Sequence, residues 1–177
     1  FGPNQNKFTT VVVRSMHCKK VPIQEVSTQC YMCLALRGIT KQNFKRGTVL
    51  LEYTTQKKQI CTHILVDIDV LKTHSTTIKI GYPPILHVQN VRTTVSINEI
   101  RNKVSARNNT NYHDDILRTG DSAQLYLELC FDKKFIKKKS NILLCECRTK
   151  VDGTVINTYD ISPYRLLLVL TPPHPAE

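Results

Sequence analysis

The feature that most restricts the fold of this chain is a strict apolar alternation that begins at His63. In the stretch H-I-L-V-D-I-D-V every second residue is branched and apolar, and two of the residues between them are aspartates. This period of two predicts a β-strand with one buried face. Gly-Tyr-Pro-Pro at 81–84 ends the strand pairing, because proline lacks an N–H and glycine accepts positive φ. A β-branched run then resumes at Val91. The apolar residues after Gly47 predict a strand over residues 45–52, and the Asn-rich residues 98–115 predict a long loop. Thr119-Gly120-Asp121 predicts a turn in which glycine takes positive φ and aspartate caps backbone donors. Helical periodicity is nearly missing elsewhere, so the sequence predicts an all-β fold.

Composition and motifs exclude several functional classes. Apolar residues make up 41% of the 177 residues, which indicates a folded chain. No stretch approaches the roughly 20 apolar residues that span a bilayer, so we expect a cytoplasmic protein without membrane contact. The sequence contains no G-x-x-x-x-G-K-[ST], H-E-x-x-H or G-x-S-x-G motif. Asp67 and Asp69, at i and i+2, are expected on an exposed strand face. We therefore predict that the chain itself is not an enzyme and has no catalytic residues.

The charge balance points toward anionic partners. The chain has 25 Lys and Arg against 14 Asp and Glu, a net charge of +11. Such an excess favours phosphate contacts through counterion release, although a merely solvated basic surface has the same composition. Residues 133–139 concentrate five of the lysines, including Lys137, Lys138 and Lys139. This run either protects a sheet edge or forms a phosphate-contacting loop.

The cysteines are expected to be core thiols. Their number is seven, which is odd, and no secretory signal accompanies them. Cys30-x-x-Cys33 and Cys145-x-Cys147 have the spacing of a metal clip. Both pairs lie in alternating strand patterns, however, whereas a zinc ribbon places its pairs on tight turns. We therefore predict no metal site.

Several motifs resemble one protein family. T-H-S-T-T-I-K-I-G-Y-P-P-I-L at 73–86, R-T-T at 92–94 and L-R-T-G-D-S-A at 117–123 resemble the third domain of translational GTPases of the elongation factor Tu and elongation factor 1-alpha class. A-L-R-G-I at 35–39 and K-R-G-T-V-L at 45–50 resemble the second half of the second domain. The nearest branch is that of GTP-binding protein 1 and its relatives.

The resemblance implies a division of the chain. Residues 1–57 correspond to the second part of a domain II-like β-barrel. Residues 58–170 correspond to a complete domain III-like antiparallel Greek-key barrel, and residues 171–177 to a flexible tail. It further implies that the GTPase domain, with its GTP and Mg²⁺, lies outside this chain.

The family's RNA-binding positions can be carried over by motif. His17, with Arg37 on the neighbouring strand, corresponds to the place that holds the aminoacylated 3′ end of tRNA. Positions in two turns correspond to the grip on the tRNA backbone: Arg92, Thr93, Thr94, Arg148, Thr149 and Lys150. Cys145 and Cys147 replace an arginine and a glycine of the family pattern.

The resemblance implies a non-catalytic region that contacts aminoacyl-tRNA or related RNA in translation or ribosome-associated quality control. The expected partners are tRNA or ribosomal RNA, the ribosome and the parent's own GTPase domain. The alternative is a release- or rescue-factor-like GTPase, in which the third domain binds a release-factor-like protein. An apolar patch on that domain would favour the alternative, and a basic stripe would favour RNA.

Overall fold

The structure is a computed structural model that describes residues 1–28, 30–54, 59–71, 77–105, 116–146 and 149–160, with the backbone alone at 146, 149 and 150. Arg148 and the expected tail 171–177 lie outside the described residues. The strands are β1 Val12–Cys18, β2 Val21–Ile23, β3 Cys33–Arg37, β4 His63–Val70, β5 Ile78–Lys79, β6 Ile85–Val88, β7 Val91–Val104, β8 Ile116–Leu117, β9 Ser122–Leu129, β10 Asn141–Glu146 and β11 Thr149–Tyr159. Every described strand pair is antiparallel. The predicted all-β antiparallel class is confirmed.

Six strands form a closed barrel in the order β10-β11-β4-β9-β7-β6. β4 lies between β9 and β11 and shows why the chain closes in this way. Its four branched residues, Ile64 to Val70 at every second position, are at most 2% exposed, whereas Asp67 and Asp69 are exposed. The same alternation on the other strands fills the barrel interior with Val, Ile and Leu. The period of two therefore sets the inner and outer faces.

β7 is longer than its sequence suggests. Residues 98–104, which the low apolar content assigns to a loop, continue the strand and pair with β9. Two register shifts interrupt this pairing, one between Ile97 and Glu99 and one between Arg101 and Val104. Bulges of this kind break the period of two, which is why the pattern is unreadable here. Residues 106–115 of the expected loop lie outside the described residues.

The turn that leads into β9 has the predicted geometry. Gly120 takes φ +83°, and the Asp121 carboxylate accepts a hydrogen bond from the backbone N–H of Arg118 at 2.9 Å. Asp121 is buried and faces the buried Lys103 of β7, with Nζ and Oδ2 3.5 Å apart. The Lys103 ammonium also donates to the carbonyl oxygen of Ile116 at 2.6 Å. This buried ion pair fixes the turn to the end of β7.

The N-terminal part contains a three-stranded sheet in the order β2-β1-β3. In β3, Leu34 and Leu36 are half-buried and alternate with exposed residues, as the sequence predicts. The strand expected over residues 45–52 does not form. Lys45 to Thr48 make a turn in which Gly47 takes φ +91°, and the segment contributes a single bridge between Gly2 and Val49.

Loops of the N-terminal part pack directly on the barrel. The Asn90 side chain donates to the carbonyl oxygen of Thr48 at 2.6 Å. Phe8 and Phe135 meet edge to face, with ring centroids 6.1 Å apart. Gly47 is buried against Val91, whose Cγ2 would lie 3.5 Å from a Cβ at that position. These contacts hold the residue 45–48 turn against the barrel end.

Candidate nucleic-acid interface

Strand register brings part of the predicted RNA site onto one outer surface. Arg92, His87, Leu143 and Asp152 form one row across β7, β6, β10 and β11. Thr94, Ile85, Cys145 and Lys150 form the row two residues further along the strands. Residues two apart share a face, so both rows belong to the same side of the sheet. We call this side the β6/β10 surface.

Burial shows that this side faces outward. Arg92 is exposed and Thr94 is half-buried. Thr93, between them, is 7% exposed and belongs to the inner row with Leu86, Leu144 and Val151. Its hydroxyl donates to the carbonyl oxygen of Thr94 at 3.5 Å. Of the three motif residues predicted to contact RNA, Arg92 and Thr94 are therefore on the outside, and Thr93 is in the barrel wall.

The second predicted turn is described in part. Thr149 and Lys150 open β11, opposite Glu146 and Cys145 of β10. Neighbouring strands are about 4.8 Å apart, so the backbone of Lys150 lies roughly 14 Å from that of Thr94 across the surface. Arg148 lies outside the described residues.

The lysine-rich run divides into two parts. Lys137, Lys138 and Lys139 are exposed in the turn before β10, and the Lys139 N–H donates to the carbonyl oxygen of Val155 at 2.8 Å. In the earlier part of the run, Lys133 already forms an ion pair with Asp160, whose carboxylate is 2.7 Å from its Nζ. The exposed lysines precede the first residue of β10, whereas Lys150 pairs near its last. The two cationic positions therefore lie at opposite ends of the β6/β10 surface.

His17 and Arg37 belong to the N-terminal sheet and are not brought together. His17 is half-buried and opposes Cys33 at the start of β3, whereas Arg37 is exposed and opposes Val12 at its end. Four residues of extended chain separate the two ends of β3, which is about 13 Å.

The register also reveals neighbours that sequence analysis missed. His87 lies beside Arg92 on the β6/β10 surface, and Asp152 shares their row. The alternation of His87 with the buried Leu86 and Val88 is a signal that could have placed this histidine outside. The presence of Asp152 in the row follows only from strand pairing, which the sequence does not specify.

A second group of titratable residues, centred on His63, is buried and packs together in the barrel wall. His63 is 3% exposed and stacks on Tyr126 with ring centroids 5.3 Å apart. Its Nδ1 is 2.8 Å from the Thr62 hydroxyl, and its Nε2 has no hydrogen-bond partner among the described residues. Burial lowers the pKa of His63, and Glu128, 3.9 Å from Nε2, partly opposes that shift. Burial also raises the pKa of Tyr126 to about 12. Both rings are therefore neutral at physiological pH.

The described part of the chain holds no cluster of three or more His, Cys, Asp or Glu side chains placed to bind a metal ion. It also holds no helix of the length and apolarity needed to cross a membrane.

The chain is similar in sequence to translation elongation factors. No protein-family model matches the chain. Proteins of the elongation factor 1-alpha type do match: that of Pyrococcus abyssi is 28% identical over 127 residues, which cover 65% of this chain and 28% of that protein. That of Methanococcus vannielii is 28% identical over 110 residues, 61% of this chain and 25% of that protein. The closed antiparallel barrel and these similarities confirm the resemblance to the C-terminal β-barrel domains of translational GTPases.

A particular relative matches more of the chain. GTP-binding protein 1 of Xenopus laevis is 27% identical over 155 residues, which cover 87% of this chain and 22% of that protein. Because it covers 87% of the chain, the match includes part of the sequence that precedes the barrel as well as the barrel sequence itself. The chain spans about a quarter of the length of the curated relatives it matches.

Proposed function

We propose that this region binds structured RNA, aminoacyl-tRNA first among them, for a translation-factor-like GTPase. The observation that carries the proposal is the placement of Arg92, Thr94 and Lys150 in two adjacent rows of the β6/β10 surface. The similarity to elongation factor 1-alpha and GTP-binding protein 1 supports the same reading.

The chemistry of these positions suits a nucleic-acid backbone. A guanidinium donates to phosphate in a bidentate fork, and hydroxyls on the same surface reach phosphate oxygens and ribose 2′-hydroxyls. The excess of 11 positive charges adds long-range attraction and counterion release. Asp152 and Asp69 continue the Arg92 row onto β11 and β4, and their exposed carboxylates repel phosphate and limit where the RNA backbone can run. Recognition of this kind reads the shape of the RNA rather than its sequence.

The whole parent protein would add further parts. We propose that the parent has a GTPase domain that binds GTP and Mg²⁺, since the chain spans about a quarter of the length of its relatives and one of these is a GTP-binding protein by name. His17 and Arg37 would receive the aminoacylated 3′ end, and Lys137 to Lys139 would extend the contact along the backbone. The ribosome in the cytoplasm is the proposed place of action.

The test compares two double variants that remove the same charge. Arg92→Ala with Lys150→Ala removes two cations from the β6/β10 surface, and Lys79→Ala with Arg118→Ala removes two exposed cations near the β5–β8 pair. Fluorescence anisotropy with aminoacylated and deacylated tRNA, repeated over a range of salt, measures affinity and its salt dependence. We expect the first variant to lose about tenfold or more in affinity and to flatten the salt slope by about one to two. The control should change both quantities much less.

Equal changes in the two variants, or no change in either, would remove the β6/β10 surface from the RNA contact. A preference for aminoacylated tRNA would support the aminoacyl end as a ligand. Absence of tRNA binding together with capture of a release-factor-like protein would replace this proposal by the protein-binding alternative.

A further inference from the structure

Two segments that are distant in sequence bring cations together at the end of the barrel where β6 turns into β7. Lys45 and Arg46 belong to the residue 45–48 turn, and Lys134 belongs to the segment that follows β9. A Cβ added to Gly47 of the turn would lie 3.8 Å from Cδ of Lys134, so the two segments lie side by side. We call them together the junction surface: residues 44–47 and 131–134.

The positive charge of the junction surface is only partly neutralised. Lys45 and Arg46 are exposed and form no ion pair with any residue that the structure describes. The two segments contain a single acidic residue, Asp132, whose carboxylate is 4.0 Å from Nζ of Lys134. Like charges this close repel one another, so a bound polyanion would relieve the repulsion.

The shape of the surface favours a long ligand over a small anion. The hollow that Lys45 and Lys134 both line has a volume of about 20 Å³, which holds about one water molecule. A free phosphate or a nucleotide therefore finds no enclosed site there. The cations act instead along an open surface, which suits a polymer with repeated negative charges.

Exposed aromatic rings accompany these cations. Phe44 precedes Lys45 and is 54% exposed, and Phe131 precedes Asp132 and is 71% exposed. Phe44 also contacts Phe1, with ring centroids 5.0 Å apart, which restricts the position of its ring. Bases of unpaired nucleotides can stack on such rings while cations hold the phosphates, whereas bases inside a duplex have no free face. Aromatic rings beside basic residues therefore favour a single strand over a duplex.

We infer that the junction surface binds a single-stranded segment of RNA. Phe44 and Phe131 stack on its bases, and the neighbouring cations hold its phosphates. This contact goes beyond the proposed function, which concerns structured RNA on the β6/β10 surface. The two surfaces adjoin, because Val91, which packs against Gly47, directly precedes Arg92 in β7. One RNA with a stem and an unpaired segment reaches both.

Fluorescence anisotropy on the full chain, over a range of salt, tests the contact with a labelled oligouridine of about 12 nucleotides. Lys45→Gln with Arg46→Gln should lower the affinity about tenfold and flatten the salt slope by about 1.4, since each phosphate contact on a single strand contributes about 0.7. The matched control, Lys19→Gln with Lys20→Gln, removes two exposed lysines from the turn between β1 and β2 and should change both quantities much less. Equal losses in the two variants would overturn the inference.

A substitution of one ring separates stacking from charge. Phe131→Leu should lower the affinity for oligouridine about fivefold or more, because the stacking of one base is lost, and should leave the salt slope unchanged. Tyr31→Leu is the control, since the ring of Tyr31 is 98% exposed beside the N-terminal sheet. A loss in Phe131→Leu no larger than in this control would overturn the stacking.

A duplex RNA distinguishes this inference from the proposed function. The Lys45 and Arg46 double variant should bind the duplex nearly as well as the wild type does. Arg92→Ala with Lys150→Ala should instead lose affinity for the duplex and keep its affinity for oligouridine. Equal losses for duplex and oligouridine in the Lys45 and Arg46 variant would overturn the assignment to a single strand. A polyglutamate peptide that competes as effectively as oligouridine at equal charge would assign the junction surface to an acidic protein, which also overturns the inference.

Discussion

At Gly153 the backbone of β11 leaves no room for a Cβ beside β4, and replacement of this glycine by alanine is a sharp test of the barrel. Gly153 pairs with Ile68. A Cβ at this position would overlap the carbonyl oxygen of Asp67, and would lie 2.8 Å from Cγ2 and 3.0 Å from Cα of Ile68. Two of these three atoms belong to the backbone of a central strand, so the overlap is relieved only by moving β4 or β11.

Overpacking of this kind costs about 3 kcal/mol. For a chain of this size a loss of 1 kcal/mol lowers Tm by about 2–4 °C, so Gly153→Ala should melt about 6–12 °C below the wild type. Thermal and urea unfolding, followed by far-ultraviolet circular dichroism, measure the change.

Gly81→Ala is the matched control. Gly81 has φ +79° and nothing within 4 Å of a Cβ, so alanine there meets only the strain of a left-handed backbone, about 1–2 kcal/mol. A Gly153→Ala protein that melts with the wild type, or no lower than Gly81→Ala, would refute the close-approach argument.

Two further predictions concern charged groups in the barrel wall. Lys103→Met should lower the free energy of unfolding by about 3–5 kcal/mol in urea titrations, because it leaves the buried Asp121 carboxylate without its cation. Arg101→Met on the same strand breaks the half-exposed pair with Glu99 and should lower the free energy of unfolding by about 1 kcal/mol or less. Similar losses of stability in the Lys103 and Arg101 variants would contradict the argument that burial makes the Lys103–Asp121 pair matter more. The pKa of His63 is lowered from 6.5 by burial, so the unfolded chain binds the proton more tightly. Stability should therefore fall as the pH drops below 6.5, and His63→Phe should flatten that dependence; an unchanged slope would exclude His63 as its source.

Local patterns made much of the fold predictable. The alternation in β4, the Gly-Tyr-Pro-Pro stop after β5 and the capped turn before β9 each depend on residues close in sequence. The strand predicted from the apolar residues after Gly47 was wrong, because a run of apolar residues does not supply a pairing partner. The extension of β7 through Lys103 was missed because two bulges shift the register.

The candidate site was predictable in its parts and not in its arrangement. The alternation of Thr93 with Val91 and Val95 already places its side chain inside, whereas Arg92 and Thr94 point outward. The motif alone gave all three the same role. That Lys150 lies in the row of Thr94, and Asp152 in that of Arg92, depends on the pairing of β6 with β10 and of β10 with β11. Such pairing between distant segments is set by the whole barrel, and no short stretch encodes it.

The pairing of β4 with β11 has a consequence for biosynthesis. β4 is the first strand of the barrel to be made and β11 the last, and the ring closes only when these two meet. At roughly 5–20 residues per second, several seconds pass between the release of β4 and that of β11 from the synthesis machinery. During this time the backbone N–H and C=O groups on one edge of β4 have no partner strand, and its inward row of Ile and Val is not yet fully covered. We expect chaperone dependence and aggregation of nascent chains to be greatest in this interval, and to disappear once Tyr159 has left the synthesis machinery and β11 can pair with β4.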